Sequence, residues 1–305
     1  MNVMSELSTS SLLHDALSHI AADVDQEFDT LLQLPGDARD RLYAAMRHAT
    51  IGGGKRLRPL LVTATAALFN VDRKTALRVG TAVEAIHVYS LVHDDLPCMD
   101  DDDLRRGKPT VHRAFDEATA VLAGDSLHAL AFEILANPDT HGDPFVRGEL
   151  VATLALASGP EGMAGGQMMD IEAENAAFDL QTVMRLQALK TGALIAASVE
   201  MGAILGHIPP EGRTHLRGYA RDIGLAFQIA DDILDVEGDP ELAGKALQKD
   251  AEAGKGTFVS LMGLDAARAY AQSLIERAHA ALQRSGLDDT RALAALARQV
   301  VQRSF

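Results

Sequence analysis

A chain of 305 residues is long enough to bury one substantial core, and 47% apolar with 23% charged residues is ordinary for a folded globular protein. A formal net charge of −15 excludes a general nucleic-acid binder and leaves no polybasic anchor for an anionic membrane. The single cysteine, Cys98, excludes an internal disulfide, and 4% aromatics without tryptophan leave a core of Ala, Leu, Val, Ile and Met that leans all-α.

The first twenty residues have neither a basic leader region nor an apolar stretch, so they do not read as a secretory signal, and a cytoplasmic setting is expected. After a break at 34–37 and a glycine turn at 52–54, Leu57, Leu60, Leu61, Ala64, Ala67 and Leu68 recur at the spacing of a buried helix face. Similar periodicity predicts helices over roughly 76–96, 117–136, 147–158, 181–206, 214–235 and 265–283. Further breaks fall at 137–139, 159–160 and 208–210. No charge-free apolar run reaches the length of a membrane span; the best candidate, 192–199, stops at Glu200. A stretch over 237–256, rich in Gly, Lys and Asp, predicts a mobile loop beside a charged ligand. None of the breaks resembles an interdomain linker. The expected architecture is all-α: one domain over 1–305 with about ten or more helices and a peripheral segment at 1–24.

Acidic clusters end two of the apolar helices, which predicts two facing helices presenting carboxylates into one cavity. The first runs from His93 through Asp94, Asp95 and Pro97 to Asp100, Asp101, Asp102 and Asp103. Six acids within ten positions repel one another, so they form either a solvated loop or a cation site. Hard oxygen ligands without multiple His or Cys suit Mg²⁺, which takes its remaining ligands from water and substrate phosphate. Pro97 breaks helical geometry and allows Asp94 and Asp100 to converge. In the second cluster Gln228, Asp231 and Asp235 share one helical stripe, while Asp232 points about 100° away from Asp231.

Cations sit beside these acids. The turn 52–54 opens a helix carrying Lys55, Arg56 and Arg58; it is either an anion site or an ordinary loop, and its spacing is not that of a P-loop. Arg105, Arg106 and Lys108 follow the first acidic cluster, and Lys190, Lys245, Lys249 and Lys255 lie further on. Acids and bases gathered in one cavity are what a metal–diphosphate complex requires. His87 shares a stripe with Ser90, Leu91 and Asp94, as a ligand or as a satisfied helix histidine.

The segments GGGKRLRP (52–59), EAIHVYSLVHDDLPCMDDDDLRRGKPTVH (84–112), GMAGGQMMDI (162–171), LKTGALI (189–195) and GLAFQIADDILD (224–235) resemble the short-chain trans-prenyltransferases, and most closely the bacterial farnesyl diphosphate synthases. The likeness runs in order from about residue 25 to 300. It implies a helical bundle of isoprenoid synthase type around a deep central cavity, a homodimer, and diphosphate substrates. It also implies roughly two or three Mg²⁺ ions per site, with Mn²⁺ as a substitute. By the same resemblance Asp94, Asp100 and Asp231 are metal ligands supported by Asp95 and Asp235. Arg105, Lys190, Lys245 and Lys255 hold the allylic diphosphate, and Lys55, Arg58, His87 and Arg106 hold isopentenyl diphosphate. Thr191 and Gln228 face the developing carbocation.

Tyr89 and Ser90, five and four residues before the first aspartate, set product length in the family. An ideal helix puts Ser90 about 40° and Tyr89 about 140° from Asp94, so Tyr89 acts either through a neighbouring helix or only as core packing. The expected product is farnesyl diphosphate (C15), the alternatives being geranylgeranyl diphosphate (C20) or a non-catalytic subunit. A terpene cyclase would share only the first cluster.

Overall fold

The computed structural model describes residues 3–237 and 256–301, with side chains from residue 15 onward. The chain divides into two compact units, residues 1–63 with 71–151 and residues 64–70 with 152–305.

In the first unit, α1 (Val3–Leu31) buries Ile20, Val24, Phe28 and, just past its end, Leu32, at the four-residue spacing of one helical stripe. The helix α2 (Asp40–Thr50) follows, then α3 (Leu57–Ala67), which begins in this unit and ends in the other. The central element is α4 (Arg73–Asp94). Asp72 caps its N-terminus by accepting from the Thr75 N–H at 3.1 Å, and Ala76, Val79, Ala82, Val83, Ile86 and Val88 are all buried. Gly80 lets the backbone of Pro59 approach; a Cβ there would sit 3.0 Å from the Pro59 Cα. Sequence periodicity carries this helix to residue 96, but it ends at Asp94 because the chain turns at Asp95, two residues before Pro97. Beyond it lie a small antiparallel hairpin, β1 (Leu104–Arg105) and β2 (Lys108–Pro109), then α5 (Val111–Ala114) and α6 (Glu117–Ala136). Asp116 caps α6 through the Thr119 N–H at 2.7 Å, and α6 packs along α4.

The helix α7 (Pro144–Ser158) leads into the second unit. There α8 (Met163–Glu172) and α9 (Leu180–Gln187) precede a single π-helical turn over Ala188–Gly192, which continues into α10 (Ala193–Leu205). The 208–210 break becomes a 3₁₀ turn, Pro210–Arg213, and opens the long α11 (Thr214–Glu237). The last helices are α12 (Phe258–Met262), α13 (Leu264–Arg284) and α14 (Arg291–Val301). Arg277 of α13 pairs with buried Asp222 of α11 at 2.8 Å, and the Tyr219 hydroxyl donates to the Leu293 carbonyl at 2.7 Å. These bonds satisfy polar groups inside an otherwise apolar three-helix packing, where an unmet donor or acceptor would be costly.

Among the described residues two helical stretches are long and apolar enough to cross a membrane by length and composition alone, Glu117–Ala136 and Leu180–Leu205. Each carries three charged side chains, Glu117, Asp125 and Glu133 in the first and Arg185, Lys190 and Glu200 in the second, in keeping with the lack of a charge-free span in the sequence.

Candidate active site

The first acidic cluster begins where α4 runs out. The loop after Asp94 folds back on the helix end, and the Asp100 N–H donates to the Asp94 carbonyl at 2.8 Å. Met99 and Asp101 both donate to Leu96, the latter with a positive φ of 49°, and Pro97 lies exposed on the outside of the bend. Residues six apart in sequence are thereby brought together, with Asp94 half-buried and Asp100 exposed. Asp95 differs from both in burial and partner. It is buried and accepts from Arg105 Nε at 2.6 Å, while Arg105 Nη2 reaches Asp102 Oδ2 at 3.3 Å. Burial pushes the Asp95 carboxyl above its ordinary range, and the adjoining Arg105 guanidinium opposes that rise. Asp95, expected to support the metal, and Arg105, expected to hold diphosphate, therefore engage each other here.

Three cations of the glycine turn divide into two kinds. Arg56, with a positive φ of 47°, turns inward and is only 2% exposed. It binds Glu84 of α4 at 2.8 Å, Asp25 of α1 at 2.7 Å, and the Thr50 carbonyl. A buried guanidinium held by two carboxylates ties helices together and is not offered to a ligand. Lys55 is exposed and Arg58 half-buried. The Arg106 side chain lies on the turn itself: Gly54 has φ +88°, and a Cβ there would overlap the Arg106 guanidinium. The backbone conformation is what requires glycine at 54, since the tip of the flexible Arg106 side chain could shift.

His87 belongs to the same cluster. Burial first, then the positive charges of Arg58, Arg106, Arg105 and Arg56, hold its imidazole well below the usual histidine range. It is neutral at pH 7, and three of the four residues expected to hold isopentenyl diphosphate act on one another electrostatically.

In the second unit the π turn carries Lys190 and Thr191. Single π turns insert an extra residue and re-aim side chains, and they concentrate at functional sites. Lys190 Nζ lies 2.8 Å from Asp170 Oδ2 of α8, and a Cβ on Gly166 would overlap the Lys190 backbone. Asp170 closes the GQMMD segment, four residues after Gly166, and one helical turn is the spacing by which the sequence sets it on the same face of α8 as that glycine. Gln228 of α11 links two groups. It accepts from the Thr191 hydroxyl at 3.3 Å and donates through Nε2 to Asp232 Oδ1 at 3.1 Å. Asp232 Oδ2 also accepts the Phe258 N–H at 2.8 Å, and this carboxylate is only 6% exposed. Asp232 is therefore a latch holding α12 on α11, whereas Asp231 and Asp235 are half-buried. Lys245, Lys249 and Lys255, and nearly all of the loop expected over 237–256, lie outside the described residues.

Tyr89 packs against the neighbouring helix. Its ring centroid is 5.0 Å from that of His128 on α6 and 5.8 Å from that of His93, both edge-to-face. The Ser90 hydroxyl donates to the His87 carbonyl at 2.8 Å, so this small side chain folds onto its own helix.

Among the described residues no three His, Cys, Asp or Glu side chains converge into a closed cage. The two acidic clusters offer carboxylate oxygens, the hard donors that suit Mg²⁺ completed by water and substrate phosphate.

The polyprenyl synthetase family model matches residues 39–294. The farnesyl diphosphate synthase of Escherichia coli (strain K12) is 47% identical over 266 residues, covering 85% of this chain and 88% of its own. A chloroplastic geranylgeranyl pyrophosphate synthase of Capsicum annuum is 44% identical over 265 residues, covering 86% of this chain and 71% of its own. Among solved structures, an FPP/GFPP synthase from Zymomonas mobilis superposes with a TM-score of 0.86 at 54% identity, covering 95% of this chain and 99% of its own. With its helical architecture and both aspartate clusters on core helix ends, the chain belongs to the polyprenyl synthetase family.

Proposed function

We propose that this chain is a Mg²⁺-dependent prenyltransferase that condenses isopentenyl diphosphate with dimethylallyl and then geranyl diphosphate, giving farnesyl diphosphate and releasing diphosphate. The observation that carries it is the Asp94–Asp100 backbone closure beside neutral His87, Arg58 and Arg106. Carboxylates at the end of α4 thus lie close in the fold to a cationic cluster to which α3, α4 and the following hairpin each contribute one residue.

Mg²⁺ held by Asp94, Asp100 and Asp231, with Asp95 and Asp235 in support, would neutralise charge building on the leaving diphosphate. Lys190 and Arg105 hold the allylic diphosphate as fixed cations, assisted by Lys245 and Lys255. Lys55, Arg58 and Arg106 hold isopentenyl diphosphate, and neutral His87 adds a hydrogen bond without a competing charge. When the allylic carbon–oxygen bond breaks, its electron pair leaves on the diphosphate. The isopentenyl double bond attacks the resulting cation at C1, and the released diphosphate accepts the proton lost. Because Gln228 donates to Asp232, its oxygen is turned to Thr191; because the Thr191 proton goes to Gln228, the Thr191 lone pairs remain to stabilise positive charge. Tyr89 stops chain growth at C15, with Ser90 leaving room beside it.

We include homodimerisation and a cytoplasmic setting in this proposal. Val121 and Leu122 on α6 and Phe145 on α7, 85% exposed, offer apolar surface for a second copy. Light scattering on the purified chain measures that directly. A second reading, a longer product, is favoured by the Zymomonas mobilis relative, whose name includes GFPP. Incubating the protein with dimethylallyl and isopentenyl diphosphates and Mg²⁺ decides between them. Farnesyl diphosphate as main product, abolished by EDTA, is expected; mainly C20 product sinks the farnesyl assignment, and no product sinks the whole reading.

A further inference from the structure

Two proposed diphosphate ligands, Arg105 and Arg106, are neighbours on one short hairpin. Leu104 pairs with Pro109 and Arg105 with Lys108, and the turn residues Arg106 and Gly107 have positive φ of 53° and 74°, the geometry of a tight two-residue turn. Arg105 has anchors of its own, the ion pairs to Asp95 at 2.6 Å and to Asp102 at 3.3 Å. Arg106 instead lies along the glycine turn, where its Cδ would be 3.3 Å from a Cβ on Gly53. Its place therefore depends on how far the hairpin stands from that turn.

Apolar packing does not set that distance. A cavity of about 50 Å³ is bordered by Val88, Leu91 and Val92 of α4 and by His48, Arg106 and Pro109, so side chains do not fill the space beneath the hairpin. Leu104, the apolar residue of β1, is 60% exposed and contributes no core. Two side-chain bonds span the gap instead. Lys108 Nζ donates to the carbonyl of Ile51, just before the glycine turn, at 3.0 Å. His48 Nε2, on α2, lies 2.7 Å from the Pro109 carbonyl, and because a carbonyl only accepts, the imidazole donates. Lys108 is a long exposed side chain that gives up rotamer freedom to make its bond. His48 is the stiffer strut: its ring stands edge-to-face to Phe115 with centroids 5.8 Å apart, and Arg41 lies over the Phe115 ring at 5.7 Å.

We propose that His48 is a positioning residue for the isopentenyl diphosphate site: by holding Pro109 it sets the hairpin at the distance that keeps the Arg106 side chain on the glycine turn. This rests on the reading of Arg106 as an isopentenyl diphosphate ligand, and no substrate contact is required of His48.

The test measures kcat and the separate KM values for isopentenyl and dimethylallyl diphosphates in wild type, His48→Phe, His48→Gln, Arg106→Ala and the His48→Phe/Arg106→Ala pair, with thermal unfolding alongside. His48→Phe keeps a ring against Phe115 but loses the donor, whereas His48→Gln keeps an N–H donor but loses the ring. Loss of one hydrogen bond should raise the KM for isopentenyl diphosphate about three- to tenfold in His48→Phe, with kcat and the other KM within about twofold of wild type. His48→Gln should match wild type, and in the Arg106→Ala background His48→Phe should add nothing. Should His48→Phe not fold, Lys108→Met removes the second bond at an exposed position and should show the same split; an unchanged KM there overturns the inference. A merely structural role predicts lower stability and slower turnover at an unchanged KM for isopentenyl diphosphate, and that result overturns it too. So does His48→Gln behaving as His48→Phe, or a His48→Phe effect that persists without the Arg106 guanidinium. If Arg106→Ala raises that KM while His48→Phe does not, the inference fails and the reading of the site stands. If Arg106→Ala leaves that KM unchanged, the reading of Arg106 falls and the inference with it.

Discussion

Gly166 of α8 presses against the backbone of Lys190 so closely that any side chain at 166 would occupy the space of the Lys190 amide. The contact fixes the π turn from outside, while Asp170, one helical turn along α8, fixes the lysine ammonium at 2.8 Å. Backbone cannot give way as a flexible side chain can. Gly166→Ala should therefore cost about 1–3 kcal/mol of stability, in the range of overpacked cores. It should also lower kcat by up to about a hundredfold, as small misplacements of positioned groups do. Asp170→Asn leaves the backbone contact intact and should lose turnover without comparable loss of stability. Steady-state kinetics beside thermal unfolding separate the two; equal unfolding losses in both variants would contradict this division.

The adjacent acids of the second cluster should divide by role. Asp232→Ala strands the buried Phe258 N–H and should destabilise the fold by about 1–3 kcal/mol. Asp231→Ala should destabilise less than Asp232→Ala and reduce kcat about a hundredfold or more, the scale for losing one charge-stabilising group. Denaturant titration and turnover on both variants check the assignment, and reversed behaviour refutes it.

Arg56 and Lys55 make a parallel contrast in the first unit. Removing the Arg56 guanidinium leaves Glu84 charged and buried, which should cost about 3–5 kcal/mol. Lys55→Ala, at an exposed position, should change stability by no more than about 0.5 kcal/mol and raise the KM for isopentenyl diphosphate. An unaffected KM would remove Lys55 from the binding site.

His87 predicts a pH dependence. Its folded-state pKa is depressed, so below about 6.5 the unfolded chain binds a proton that the folded chain refuses. Its contribution to stability is complete above that pH and declines as pH falls toward the depressed folded value. The His87→Asn variant should show a shallower loss of stability between pH 7 and pH 5 than wild type, read from urea midpoints. An identical slope would mean that His87 already takes up its proton in the folded state.

Helix existence and order were legible in the sequence because apolar residues repeat at the helical period. The 117–136 helix coincides with α6, and 214–235 falls two residues short of the end of α11. A break in helical geometry between Asp94 and Asp100 was legible as well from Pro97, and the backbone bond from the Asp100 N–H to the Asp94 carbonyl closes the loop there. Other features were decided only by tertiary structure. Arg56 and Arg58 are the same residue type two positions apart, and only the positive φ at Arg56, with Glu84 arriving from α4, turns one inward. The π turn at Ala188–Gly192 leaves no periodic trace, because one inserted residue shifts a pattern no more than ordinary irregularity does. Helical geometry separated Asp231 from Asp232 by about 100° but could not say which faced the core. The Phe258 amide, 26 residues further along the chain, settled that by finding its acceptor at Asp232. Tyr89 is the same case: its helical angle left two roles open, and the ring of His128 on another helix determines what it packs against. Local periodicity encodes which elements form, whereas the partner of each buried charge or ring comes from a distant segment and exists only once the chain has folded.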